Sequence, residues 1–218
     1  VIPTNLSEVR PEDMDLLDPK VSTRRTRADD SYPGAKEQEA ALIQAVAKRS
    51  TADLALVRDA IDLIKDYHGP VKRKSGEPFY LHPVAVAQIV LDYNQEEATV
   101  LGALLHDTVE DIGLSLDQLE TRYNKEVRQI VDGVTHLESA KGGKDKRILY
   151  VKIADRMHNM RTIKAKKYAS QLNKANETMR FFVPLCKALG LDTAASELEA
   201  LCADVFQRGK ATDKPADK

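Results

Sequence analysis

An apolar stretch, Ala98 to Leu105, runs directly into His106-Asp107, and a second acidic pair, Glu110-Asp111, follows one turn later. A stretch that apolar belongs in the middle of a core. Polar groups so dense beside it are costly to bury unless something satisfies them, and a metal ion does so well. The chain must therefore fold so that one buried helix delivers an imidazole and carboxylates to a single place. Two other segments supply what such a site needs: His82 upstream and Asp155 downstream.

The surrounding pattern is helical. Leu54, Val57, Ile61, Ile64 and His68 recur at helical spacing after the candidate cap Asp53. Val84 to Tyr93 reads as a helix entered through Pro83, and Ala98 to Asp111 as the central helix. Ser115 with Gln118 forms a capping box for a short helix to Tyr123. Lys125 to His136 is amphipathic, with Val127, Ile130, Val131 and Val134 on one side. Ile148 to Thr162, Gln171 to Leu189 and Ala194 to Phe206 complete the set, with Gly190 as a stop. No alternating strand pattern and no internal repeat is present. The expectation is an all-α fold of about eight to ten helices around one core, far above the usual helix content. Aromatic residues make up only 5% of the chain and tryptophan is absent, so that core is built of Leu, Val, Ile and Ala.

The organisation read from the sequence is a mobile N-terminal arm over residues 1–36, a single domain over 37–207 and a polar tail over 208–218. Lys plus Arg (33) nearly balance Asp plus Glu (34), for a net charge of −1. That balance argues against a nucleic-acid binder, while leaving room for a local basic pocket. No stretch approaches the roughly 18 unbroken apolar residues of a membrane span. Cys186 and Cys202 read as reduced core thiols, and the expected compartment is the cytoplasm. Monomer and homodimer both remain open.

His82, His106, Asp107 and Asp155 together offer two imidazoles and two carboxylates. That donor set suits a borderline divalent ion such as Mn²⁺, Fe²⁺ or Zn²⁺, and the lack of thiolates argues against a closed structural zinc site. An ion held by four ligands leaves room for water and a phosphoryl oxygen. On a continuous helix, His106 with Glu110 and Asp107 with Asp111 share faces, which suits the acidic pair to handling a water's proton. Asp155, Asn159 and Thr162 fall on one face of the later helix, as a nucleoside-binding wall would. His68 and His136 read as structural.

Three runs carry a resemblance. Val71 to Pro83 (VKRKSGEPFYLHP), Gly102 to Asp111 (GALLHDTVED) and Val151 to Thr162 (VKIADRMHNMRT) closely resemble the hydrolase domain of RelA/SpoT homologues, the enzymes of the alarmones ppGpp and pppGpp. The resemblance covers about residues 38–206. It implies an all-helical HD-type fold and a manganese-dependent hydrolase that removes the 3′-diphosphate of ppGpp, giving GDP and pyrophosphate. By position, His82, His106, Asp107 and Asp155 match the family's metal ligands, and Glu110 and Asp111 its water-handling acids. Arg73, Lys74 and Ser75 match its guanine-nucleotide loop, and Asn159 and Thr162 its nucleoside contacts.

Two departures stand out. The family's synthetase and regulatory domains are absent, which points to a small alarmone hydrolase or an excised domain. The link Ser139 to Lys146 is also short for the family. Two alternatives stay open beside alarmone hydrolysis. One is a phosphatase acting on another nucleotide such as NADPH; the other is a catalytically weak alarmone-binding module.

Overall fold

The computed structural model describes residues 27–28, 31–136 and 145–212, and within them the chain is all-α. Most of the expected arm, the link at 137–144 and residues 213–218 lie outside the described residues. The helices are α1 (Ala35–Arg49), α2 (Leu54–His68), α3 (Leu81–Val90), α4 (Glu97–Leu105), α5 (Thr108–Ile112) and α6 (Leu116–Arg122). They are followed by α7 (Lys125–Thr135), α8 (Lys146–Arg161), α9 (Tyr168–Glu177), α10 (Val183–Ala188) and α11 (Asp192–Thr212).

Local chemistry sets many of the boundaries. Asp53 opens α2 by accepting from the Ala55 amide at 2.8 Å, so the first turn has a partner for a donor the helix cannot satisfy. Ser115 and Gln118 form the expected capping box, with bonds of 3.1 and 2.9 Å. Asn124 and Asp145 cap α7 and α8 in the same way. Gly190, at φ +73°, ends α10, and the Leu191 amide reaches back to the Cys186 carbonyl at 2.8 Å.

Several boundaries differ from the sequence reading, and α1 was not among the expected helices; three of the differences have a local cause. Helix α3 begins at Leu81, not Val84, because Pro83 falls in the first turn, where its missing N–H has no intrahelical acceptor to lose. The expected Gln171–Leu189 helix starts at Tyr168 and passes through a π turn at Thr178–Phe182. Pro184 lies just beyond that turn, and its lack of an amide proton breaks the regular ladder there. The third difference is the most consequential. The expected helix Ala98–Asp111 is two helices, broken at His106-Asp107. Thr108 Oγ1 donates to the Leu105 carbonyl at 2.6 Å and His106 Nδ1 to that of Ala103 at 2.8 Å. These side chains take up the carbonyls where the helix ends.

Helix α4 is the centre of the molecule. Every residue from Ala98 to Leu105 is buried, and α4 packs against α2, α3, α7 and α8. Burial of each leucine there contributes about 1.5–3 kcal/mol. The approach to α7 is close enough to require glycine at position 102, because a Cβ there would lie 2.5 Å from Ile130 Cγ2. Nearly all of α3 is buried as well, and it packs on α4 and α8. The buried ammonium of Lys65 is paired with Glu39 at 2.9 Å, as a charge inside the core must be. Both cysteines are free and buried. Among the described residues, no helix is long and apolar enough to cross a membrane.

Candidate metal and nucleotide site

Three elements deliver the polar cluster. His82 is the second residue of α3, His106 and Asp107 form the break after α4, and Asp155 lies in the middle of α8. Ligand atoms of His82, His106 and Asp107 all lie within 4.8 Å of one another. Asp155 closes the group: its Oδ1 is 3.2 Å from His82 Nε2 and 3.9 Å from His106 Nε2. Asp107 offers one oxygen to each imidazole, 3.0 Å from His106 Nε2 and 3.5 Å from His82 Nε2.

The electrostatics of this cluster call for a cation. Burial works against a charged His106 ring, yet the Asp107 carboxylate, helped by Asp155, outweighs it and pushes His106 up to about 9. Both aspartates are held below the ordinary carboxylate range despite their burial: Asp107 chiefly by His106, Asp155 by the His82 and His106 rings beside it. Either a proton or a metal ion can answer that field. The geometry favours the ion. His106 Nδ1 donates to Ala103, which leaves Nε2 as the lone-pair nitrogen in the neutral ring. That Nε2 is buried and, although 3.0 Å from Asp107 Oδ1, is not aligned to hydrogen bond with it. Converging lone pairs from two imidazoles and two carboxylates are what a divalent ion needs.

A cavity of about 470 Å³ opens over the cluster. His82, Asp107 and Asp155 form its floor, and Arg73, Lys74, Ser75, Asn159 and Thr162 line its walls. The loop between α2 and α3 carries the first three of these residues. It folds back on itself through an isolated bridge between Lys72 and Pro78, with Gly76 at φ +92° in the turn. Arg73 is half-buried and points at α8. Its Nη2 donates to Asn159 Oδ1 at 3.0 Å, and its Nη1 lies 3.3 Å from His158 Nδ1. Lys74 and Ser75 are exposed at the rim. Lys72 and Lys166 add positive charge to the lining. Burial, with Lys174, Arg73 and Lys74 nearby, holds the Lys166 ammonium below its ordinary range.

Glu110 is exposed on the short helix α5, and the side chain of Asp111 lies outside the described residues. Because the helix breaks at His106-Asp107, the four-residue spacing no longer implies a shared face with the ligands. His158 was missed from the sequence. It lies three residues after Asp155 on α8, with its Nδ1 only 2.8 Å from His82 Nδ1. Its helical spacing from Asp155 was the available signal. His68, read as structural, is buried against the ring of Phe79 at 4.6 Å between centroids. A larger cavity, about 970 Å³, opens on the other side of Asp155 between α7, α8 and the π turn. It holds none of the histidines of the cluster.

Comparison with known proteins agrees with this geometry. The chain matches the family described as "HD domain" over residues 60–144 and 142–192. It is 38% identical over 170 residues to a GTP pyrophosphokinase of Streptomyces coelicolor, covering 71% of this chain and 20% of that protein. It is 37% identical over 170 residues to a probable guanosine-3′,5′-bis(diphosphate) 3′-pyrophosphohydrolase of Synechocystis, covering 70% and 22%. A third relative, the GTP pyrophosphokinase rsh of Brucella ovis, is 36% identical over 165 residues, covering 67% and 22%. The chain thus spans about a fifth of the length of the curated relatives it matches. With the His-Asp pair at the break after α4 and this match over most of its core, the chain belongs to the HD-domain family, in its RelA/SpoT-type branch.

Proposed function

We propose that this chain is a metal-dependent hydrolase that removes the 3′-diphosphate of ppGpp and pppGpp, giving GDP or GTP and pyrophosphate. It would thereby lower alarmone levels in the cytoplasm. The observation that carries the reading is the buried His106 Nε2, which makes no aligned hydrogen bond and sits beside His82, Asp107 and Asp155, the floor of a cation-rimmed cavity. The relative from Synechocystis, named for this hydrolysis, supports the reaction. Other relatives are named pyrophosphokinases, and the chain matches only about a fifth of them.

In this reading His82, His106, Asp107 and Asp155 hold the ion; their donor set suits Mn²⁺, Fe²⁺ and Zn²⁺ alike, and Mn²⁺ is the ion that the family resemblance implies. The bound ion supplies Lewis-acid charge to a phosphoryl oxygen. Arg73 stacks on the guanine or binds its phosphates, Lys74 and Ser75 bind phosphate oxygens, and Asn159 and Thr162 face the nucleoside. Glu110 and Asp111 orient the attacking water and take its proton. Hydrolysis breaks the bond between phosphorus and the 3′ oxygen. The water oxygen ends on pyrophosphate, and the 3′ oxygen leaves with a proton.

The test is product analysis. Purified protein is incubated with ppGpp and, separately, with NADPH, with and without Mn²⁺, and the products are resolved by ion exchange. Mn²⁺-dependent GDP and pyrophosphate are expected. Intact ppGpp with phosphate released from NADPH would replace the reading with a nucleotide phosphatase. Tight ppGpp binding without turnover would make the chain an alarmone-binding module.

A further inference from the structure

His158 touches both halves of the site and has been assigned to neither. Its Nδ1 lies 2.8 Å from His82 Nδ1 and 3.3 Å from Arg73 Nη1. A guanidinium can only donate. His158 Nδ1 must therefore accept from Arg73, and it carries no proton. The 2.8 Å contact between two ring nitrogens needs one proton, and with His158 Nδ1 bare that proton belongs to His82 Nδ1. A neutral His82 with its proton on Nδ1 presents a bare Nε2, and Nε2 is the atom that faces Asp107 and Asp155.

We propose that His158 is a positioning residue that fixes the tautomer of His82, so that Arg73, His158 and His82 form one hydrogen-bonded chain from the nucleotide loop to the metal centre. The inference rests on the metal-centre reading of His82. Groups hydrogen-bonded behind a metal-bound histidine commonly set its orientation and basicity. Here the group behind His82 is itself set by an arginine that cannot lose its proton, so the direction of the chain is fixed from the loop inward. Arg73 thus has a second task besides meeting a nucleotide, and the α2–α3 loop is tied to the ion through α8.

Ring ¹⁵N NMR of the intact wild-type protein, metal-free and loaded with diamagnetic Zn²⁺, tests this directly. The expected spectrum has the shared proton on His82 Nδ1 and none on His158 Nδ1. A companion measurement titrates Mn²⁺ alone, following the free ion by electron paramagnetic resonance. His158→Leu removes the acceptor and is expected to weaken Mn²⁺ binding ten- to a hundredfold. His158→Asn places an amide oxygen near the lost Nδ1 and is expected to stay within about threefold of wild type, since it restores an acceptor of similar geometry. A proton on His158 Nδ1, in protein that binds the ion, overturns the inference alone. So does an Asn variant as weak as the Leu variant. Wild-type protein that takes up no ion sinks the metal-centre reading, and this inference with it.

Discussion

His106 donates from Nδ1 to the Ala103 carbonyl across 2.8 Å, one turn back along α4, and that bond decides which nitrogen faces the polar cluster. The ring is anchored by backbone on one side and bare on the other, beside a carboxylate 3.0 Å away. Removing that carboxylate leaves two imidazoles and Asp155 to hold a dication. Asp107→Ala is expected to lower ppGpp hydrolysis by at least about 100-fold, in line with losing a ligand rather than a supporting contact. The same variant should lose metal stabilisation. For wild type, Mn²⁺ at 100 times its dissociation constant adds about 2.7 kcal/mol, worth roughly 5–10 °C in melting temperature. A variant that still melts higher with Mn²⁺ would remove Asp107 from the ligand set.

Arg73 spends its donors on α8, reaching Asn159 and His158 across the cavity wall. Its loop is otherwise mostly exposed, so loss of the side chain leaves the core intact. Arg73→Ala should raise KM for ppGpp about tenfold or more, the size expected for a lost hydrogen bond to a charged group. Its melting temperature should move far less than that of a core variant. Unchanged substrate saturation, measured by steady-state kinetics with Mn²⁺ in excess, would contradict a nucleotide role.

His68 is buried, and its Nε2 has no hydrogen-bond partner among the described residues. Burial pushes its imidazole down to about 4, against roughly 6.5 in an unfolded chain. Between those values the unfolded chain binds more protons than the folded one. The stability contributed by a neutral His68 is therefore fully present above about 6.5 and is lost as pH falls toward 4, by about 3 kcal/mol in all. Urea midpoints of the metal-free protein at pH 7, 6 and 5 should fall for wild type and fall less steeply for His68→Gln. Parallel curves for the two proteins would show that His68 titrates normally.

Features governed by neighbours in sequence were legible, and those governed by packing were not. The Asp53 cap, the Ser115–Gln118 box and the Gly190 stop each depend on residues within one turn, so residue type and local spacing revealed them. The four cluster residues were also visible, since a histidine and aspartates in apolar surroundings stand out wherever they occur. The break at His106-Asp107 was hidden because two side chains compete there for backbone carbonyls that periodicity assigns to the helix. His158 was hidden for a different reason. Its contact with His82 joins α3 to α8 and exists only once those helices pack.

The placement of that break depends in turn on how deeply α4 is seated, and Gly102 sets the depth. An added Cβ would meet Ile130 Cγ2 at 2.5 Å and Ile130 Cβ at 3.1 Å. These atoms sit at the branch of a fully buried side chain on α7, not at a flexible end. Gly102→Ala gains up to about 1 kcal/mol of helix propensity, but overpacking a tight core costs about 1–3 kcal/mol. The net expectation is a loss of about 1–2 kcal/mol, a drop of roughly 2–8 °C in melting temperature. The penalty should shrink in an Ile130→Ala background, where Cγ2 is gone and only Cβ remains. Thermal melts of the two single variants and the double variant form the cycle that checks it. Equal penalties in both backgrounds would mean that α4 and α7 do not meet at this pair.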